Sequence, residues 1–245
     1  MEDYTFRLET AVAFADSYDA NPRNLEHPRY TVWHLFLLQI VLLANPRIHS
    51  ANEHTLLIHP QFCAWLSPED SELFAEQDDE IVDDGSGTED DSEEEGAGDV
   101  SFASTIAVPN APSVIVDFAL ILLSPSPFTA RVLVLIECKR APKRGLTDKL
   151  RRAKAAPILK IAKVQAFKQA TYLFSNLSFG KWQTTVFLIA TAGEYFSWAK
   201  AERPTESMPL NQLIWSPMHC LGDDTMKTEL YEMYEYICAE TQSRQ

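Results

Sequence analysis

"VIVDFALILLSPSPFTARVLVLIECKRAP", residues 114–142, holds two apolar runs separated by a Pro-rich segment, with acids placed inside the greasy stretches. Runs of this length, rich in Val, Ile and Leu and bounded by Pro and Ser, predict strands at 113–123 and 131–139 joined by a hairpin loop at 124–130. Leu123 then lies opposite Arg131, and Asp117 falls opposite Glu137. Directly opposed residues share a sheet face, with Cβ atoms about 4.5–5.5 Å apart. Two like charges so placed destabilise a sheet unless something neutralises them. Lys139 lies two residues beyond Glu137 and points to the same side of the strand. Two arrangements can supply the neutralisation: a divalent cation between the acids, since hard cations prefer carboxylate oxygens, or a half-buried ion pair of Asp117 with Lys139.

The rest of the chain is read around this hairpin. Helices are expected at 5–18, at 30–44 (ending before "NPR") and from Pro157 onward, where Leu159, Ala162, Ala166, Ala170 and Leu173 keep helical spacing. Residues 54–66 alternate loosely enough for a strand, and 100–108 read as another. "QTTVFLIATAGEYFSWAKA" (183–201) reads as a hairpin turning at Ala192–Gly193, and 225–240 as a closing helix. The apolar run from Trp33 to Ala44 contains His34 and Gln39 and is too short to span a bilayer, so a buried helix and no membrane association are expected. The acidic, mixed start "MEDYTFRLET" does not resemble a secretory leader, which suggests an intracellular protein, in nucleus or cytoplasm. Four scattered cysteines without a CxxC spacing, and six histidines without HExxH, point away from zinc and from a disulfide scaffold.

The net charge of −14 hides two opposed stripes. Residues 69–99 carry 16 acids and no Lys or Arg, so the remainder of the chain stands at +2. This low-complexity tract cannot bury enough apolar surface to offset its ordering entropy and reads as a disordered insertion in a single domain spanning 1–245. From 139 to 168 there are eleven Lys and Arg against Asp148 alone. Such a stripe suits a phosphate backbone. Its candidate contacts are Lys143, Arg144, Lys149, Arg151, Arg152, Lys160 and Lys163; a solvated helix face is the alternative.

Asp117, then Glu137-Cys138-Lys139 at a strand end, then a helix bearing Gln165, resembles the PD-(D/E)XK nuclease superfamily, and the overall texture is similar to its fungal members. The resemblance implies an α/β restriction-endonuclease-like core (αβββαβ), with a central mixed sheet flanked by helices, the acidic tract being an insertion. It implies Mg²⁺ (or Mn²⁺) bound by Asp117, Glu137 and the backbone carbonyl of Cys138, with Lys139 orienting and helping to deprotonate the attacking water. Gln165, or Gln169 one turn on, matches the Gln that the family often carries on the following helix. Its first-helix acid is matched poorly, by Glu26 before the expected helix or Glu53 after it, and Val116 replaces its Pro. The implied activity is hydrolysis of phosphodiester bonds, in DNA rather than RNA. Two other readings stand: an inactive nuclease-fold module that binds nucleic acid or protein, and an interaction factor working through its acidic tract.

Overall fold

The computed structural model describes residues 2–21, 23–52, 54–65, 113–125, 128–175, 183–204, 213–221, 223 and 225–242. The expected strand at 100–108 and the acidic tract at 69–99 lie outside the described residues. The elements are α1 (Glu2–Asp16), α2 (His27–Asn52), β1 (Thr55–Trp65), β2 (Ser113–Pro125), β3 (Phe128–Glu137), α3 (Asp148–Ser175), β4 (Thr185–Ala192), β5 (Tyr195–Glu202), β6 (His219–Cys220) and α4 (Thr225–Gln242). The six strands make one mixed sheet in chain order. All neighbours are antiparallel except β3 and β4. That parallel pair is joined through α3, because parallel neighbours need a crossover of a dozen or more residues.

Helices lie on both faces of the sheet. Leu8 of α1, Trp33, Phe36 and Ile40 of α2, and Met233 and Ile237 of α4 pack with Phe118, Leu120, Leu133, Ile136 and Ile189. On the other face Ala166, Ala170 and Leu173 of α3 pack with Val116, Ala119, Leu135 and Leu188. The central strands are therefore buried on both sides, which is why β2, β3 and β4 read as nearly continuous apolar runs. By length and composition His27–Ile48 of α2 could cross a membrane, so it is longer than the short apolar run suggested. Here its stripe of Val32, Trp33, Phe36, Leu37, Ile40, Ala44 and Ile48 lies in the protein core.

Both prolines expected to bound helices lie inside them, Pro46 in α2 and Pro157 in α3. A helical proline leaves the carbonyl four residues back unpaired. Pro46 and Leu42, and likewise Pro157 and Ala153, are exposed, so water can reach the freed carbonyls. Beside Pro46, the Asn45 side chain accepts from the Leu56 N–H at 2.8 Å and donates to the Leu56 carbonyl at 3.1 Å. The amide of Asn45 thereby takes the place of a missing neighbour on edge strand β1.

Two irregularities aim the site. The hairpin is tighter than the sequence reading expected: Leu122, not Leu123, lies opposite Arg131, and pairing continues to Pro125↔Phe128. Carried along unbroken, that register would set Asp117 against Ile136, and a one-residue slip turns every side chain to the other face. A bulge between Leu120 and Ile121 absorbs the extra residue, Leu133, so that Leu120 pairs with Val134 and Phe118 with Ile136. Pairing stops there, and Asp117 and Glu137 are the next residues along the two strands. On the other flank of β2, Gln61 has φ 49° and falls between the rungs Pro60↔Phe118 and Phe62↔Val116. Leu56 and Ile58 pack into one core, whereas Phe62 and Ala64 pack into the other. The sheet thus changes face at the rung that carries Asp117.

Candidate acidic site at the end of the central strands

Asp117 replaces the backbone ladder where it stops. Its Oδ2 accepts the Cys138 N–H at 2.6 Å, and its Oδ1 accepts the Tyr30 hydroxyl at 2.5 Å. Burial pushes its carboxyl above the ordinary aspartate value, while Tyr30, the Cys138 amide and Lys139 pull the other way. Burial also raises the Cys138 thiol well above its ordinary value. Its sulfur is thus no thiolate ligand, which leaves its carbonyl as the group in question.

Glu137 is 5% exposed. Lys139 Nζ lies 2.6 Å from its Oε1, and Gln169 Nε2 donates to its Oε2 at 2.5 Å. Glu137 is also raised, first by burial, with Asp117 adding to the shift. Asp117 and Glu137 lie on adjacent antiparallel strands, and the charge of Asp117 adds to the rise at Glu137. Their partners, however, come from α2 for Asp117 and from α3 for Glu137, helices that cover opposite faces of the sheet. The close ion pair is Lys139 with Glu137, not with Asp117. Burial draws Lys139 down, but Glu137, Glu26 and Asp117 together hold its ammonium above the ordinary lysine value.

Glu26 joins them. Helix α2 begins at His27, earlier than expected, and Glu26 caps it by accepting the Arg29 N–H at 2.8 Å. Its Oε1 lies 3.1 Å from the Tyr30 hydroxyl, and its carboxylate also takes a backbone hydrogen bond from Arg140. Burial raises Glu26, opposed by Lys139. Glu53 is not among the described residues. The correction on α3 is a turn: Gln165 lies on the exposed face, and Gln169, 3% exposed, reaches Glu137. The buried stripe of that helix, Ala162, Ala166, Gln169, Ala170 and Leu173, puts Gln169 and not Gln165 on the sheet side. A polar residue on an otherwise apolar stripe was the available signal. Tyr30, one helical turn after Glu26, carried no such mark.

The segment after Lys139 is clamped. Gly193 (φ 67°) donates its N–H to the Lys139 carbonyl at 2.9 Å, and its own carbonyl accepts Trp33 Nε1 at 3.0 Å. Asn24 Nδ2 donates to the Ala141 carbonyl at 3.1 Å. Two of the basic residues expected on phosphate are committed here. Arg144 donates to the carbonyls of Asp16, Ser17 and Asn21 and stacks over Tyr18. Arg151 pairs with Glu194 at 2.7 Å and Asp16 at 3.4 Å, and the fully buried Arg29 pairs with the same two acids. Arg152 donates to the Met218 carbonyl at 2.7 Å, and Lys163 is half-buried over Trp215. Lys143, Lys149 and Lys160 are exposed, as is Arg140. Of these, Arg140 and Lys143 lie on the segment that follows Lys139, whereas Lys149 and Lys160 lie along α3.

The oxygen donors here suit a hard cation. Among the described residues no three His, Cys, Asp or Glu side chains form a group that could hold a metal ion. Mg²⁺, however, commonly takes one or two protein carboxylates and keeps several waters. Gln169 Oε1, next to Glu137, is buried without a hydrogen-bond partner. Two carboxylates do not make an all-protein cage, so a cation here would keep most of its waters and displace donors already on Asp117 and Glu137. No family model, curated protein or solved structure matches this chain.

Proposed function

We propose that the chain is a metal-dependent nuclease of the PD-(D/E)XK type, hydrolysing phosphodiester bonds in DNA. The reading is supported most by one observation: at the end of the central strands Lys139 pairs with Glu137 and feels the charges of Asp117 and of Glu26, which lies just before α2. The element order α2-β1-β2-β3-α3-β4 agrees with a restriction-endonuclease-like core. Buried like charges are costly unless they serve a purpose, and perturbed carboxylates gathered around a cation are a mark of functional sites.

In this mechanism Asp117 and Glu137 would hold Mg²⁺ or Mn²⁺, with the Cys138 carbonyl beside them. Such an ion supplies Lewis-acid polarisation of the phosphate and acidifies bound water. The chain's own residues do the rest. Gln169 fixes the Glu137 carboxylate through Oε2, and the Cys138 amide fixes Asp117 through Oδ2. Lys139, kept cationic by the three acids, acts as a charge and hydrogen-bond donor toward the scissile phosphate and its water. In that state it is no base. Glu26, whose carboxyl is raised by burial, is the group suited to accept the water's proton. Arg140 and Lys143, exposed beside Lys139, meet the flanking phosphates.

The test is a cleavage panel of single- and double-stranded DNA and RNA with Mg²⁺, Mn²⁺ or EDTA, run with the parent, Glu137→Ala and Lys139→Ala. Metal-dependent cleavage that both variants lose supports the proposal. Cleavage unaffected by either variant, or no cleavage of any substrate by the parent, favours the second reading, a binding module. That reading draws on the hydrogen bonds already occupying both Asp117 oxygens.

A further inference from the structure

We infer that Tyr30 is a positioning residue for the acidic site, its hydroxyl fixing Asp117 and linking it to Glu26. The inference rests on reading this cluster as the functional site. The hydroxyl lies 2.5 Å from Asp117 Oδ1 and 3.1 Å from Glu26 Oε1. One hydroxyl thus reaches both acids. A phenol carries a single donor proton, so the shorter contact takes it and Asp117 is the group held. The ring cannot swing freely. It rises from the first turn of α2, packed edge-on against Phe118 with centroids 5.5 Å apart. Phe118 is the neighbour of Asp117 on β2, so the same aromatic contact seats the hydroxyl and the strand segment it serves.

The geometry also explains why a tyrosine is needed. The bulge and the Gln61 distortion leave Asp117 outside the regular ladder, where the backbone does not dictate its orientation. The Cys138 amide holds one carboxylate oxygen, and Tyr30 holds the other. Two bonds, one to each oxygen, fix the carboxylate plane; a single bond leaves it free to rotate. Burial and the adjacent acids raise the phenol far above its ordinary value, so it remains a donor.

The experiment is amide hydrogen exchange by NMR on metal-free protein, with Mn²⁺ affinity measured alongside. Tyr30→Phe keeps the ring and removes the hydroxyl. The Cys138 N–H should then exchange about tenfold faster or more, as its acceptor loses orientation, while Leu135 and Ile189 amides in the core keep the parent's rates. Mn²⁺ binding should weaken several-fold. An unchanged Cys138 rate, or equal acceleration throughout the core, overturns the inference. If Tyr30→Phe does not fold, Glu26→Gln probes the same link from its other end. Under the inference that variant weakens Mn²⁺ binding while Cys138 stays protected, and unprotected Cys138 overturns it. A parent that binds no Mn²⁺, with Cys138 still responding to Tyr30→Phe, rejects the metal-dependent nuclease reading and leaves the positioning role standing.

Discussion

Gly193 shows how narrowly the site is held at the scale of single residues. Its φ of 67° suits glycine, and a Cβ there would lie 2.5 Å from the Ala141 Cβ. Gly193→Ala should therefore cost more than about 1 kcal/mol, from backbone strain plus a forced shift of Ala141. A urea titration checks this, and an unchanged midpoint contradicts it. The acids make a second prediction. Burial raises Glu137, so its folded carboxyl binds a proton more tightly than the unfolded one. Its ionisation costs stability as pH rises from the ordinary glutamate value through the raised one, and below that window the cost disappears. Metal-free Glu137→Gln should thus melt at or above the parent's temperature at pH 8, with the difference shrinking as pH falls through the window. A loss of several degrees at pH 8 would mean that Lys139 depends on Glu137 more than the neighbouring acids can compensate. Asp117, Glu137 and Lys139 were legible in the sequence because a charge inside an apolar strand needs an explanation. Tyr30 was not, because an aromatic in a helix is ordinarily core.

At the scale of elements, the three-strand run and the helix after it were legible from hydrophobic pattern, yet the strand positions shifted. The strand expected at 54–66 is β1, Thr55–Trp65, and it pairs with β2; its loose alternation was a weak signal for an edge strand, and the expected strand at 100–108 lies outside the described residues. The pairing of Asp117 with Glu137 was anticipated through a register that fails at the hairpin end. A bulge restores that register by Phe118↔Ile136, the last pair before the two acids, and no local residue pattern announces a bulge whose extra residue is another leucine. Pro157 misled in the same way, since solvent exposure lets a helix carry a proline that the chain pattern places at its start. The turn between Gln165 and Gln169 gives a direct prediction. Gln169→Ala leaves a buried carboxylate oxygen without its donor and should cost about 1–3 kcal/mol. Gln165→Ala, on the exposed face, should stay within about 0.5 kcal/mol. Paired chemical denaturation curves distinguish them, and equal costs would contradict the placement of Gln169 in the site.

Across the whole molecule the two charge stripes matter most. The exposed residues of α3 include Lys149, Lys154, Lys160 and Lys168, together with Leu150, Ile161 and Val164. The face that carries them is not the face that carries Gln169. Arg140 and Lys143 are exposed on the segment that follows Lys139. The tract at 69–99 brings 16 negative charges to a chain otherwise at +2, and a tethered polyanion competes with nucleic acid at high effective concentration. Replacing residues 76–98 by a short Gly/Ser linker should tighten DNA binding several-fold at low salt, where surface charge is least screened. Equal affinity of both forms would reduce the tract to a solubilising role.

The central claim is that the acids around Lys139 form one hydrolytic centre. Initial rates of Mn²⁺-dependent DNA cleavage, measured side by side for the parent, Lys139→Ala and Gln165→Ala, test it most directly. Lys139→Ala should lose more than about 100-fold, as for other transition-state donors, and Gln165→Ala should keep the parental rate. Equal cleavage by the parent and Lys139→Ala would contradict it.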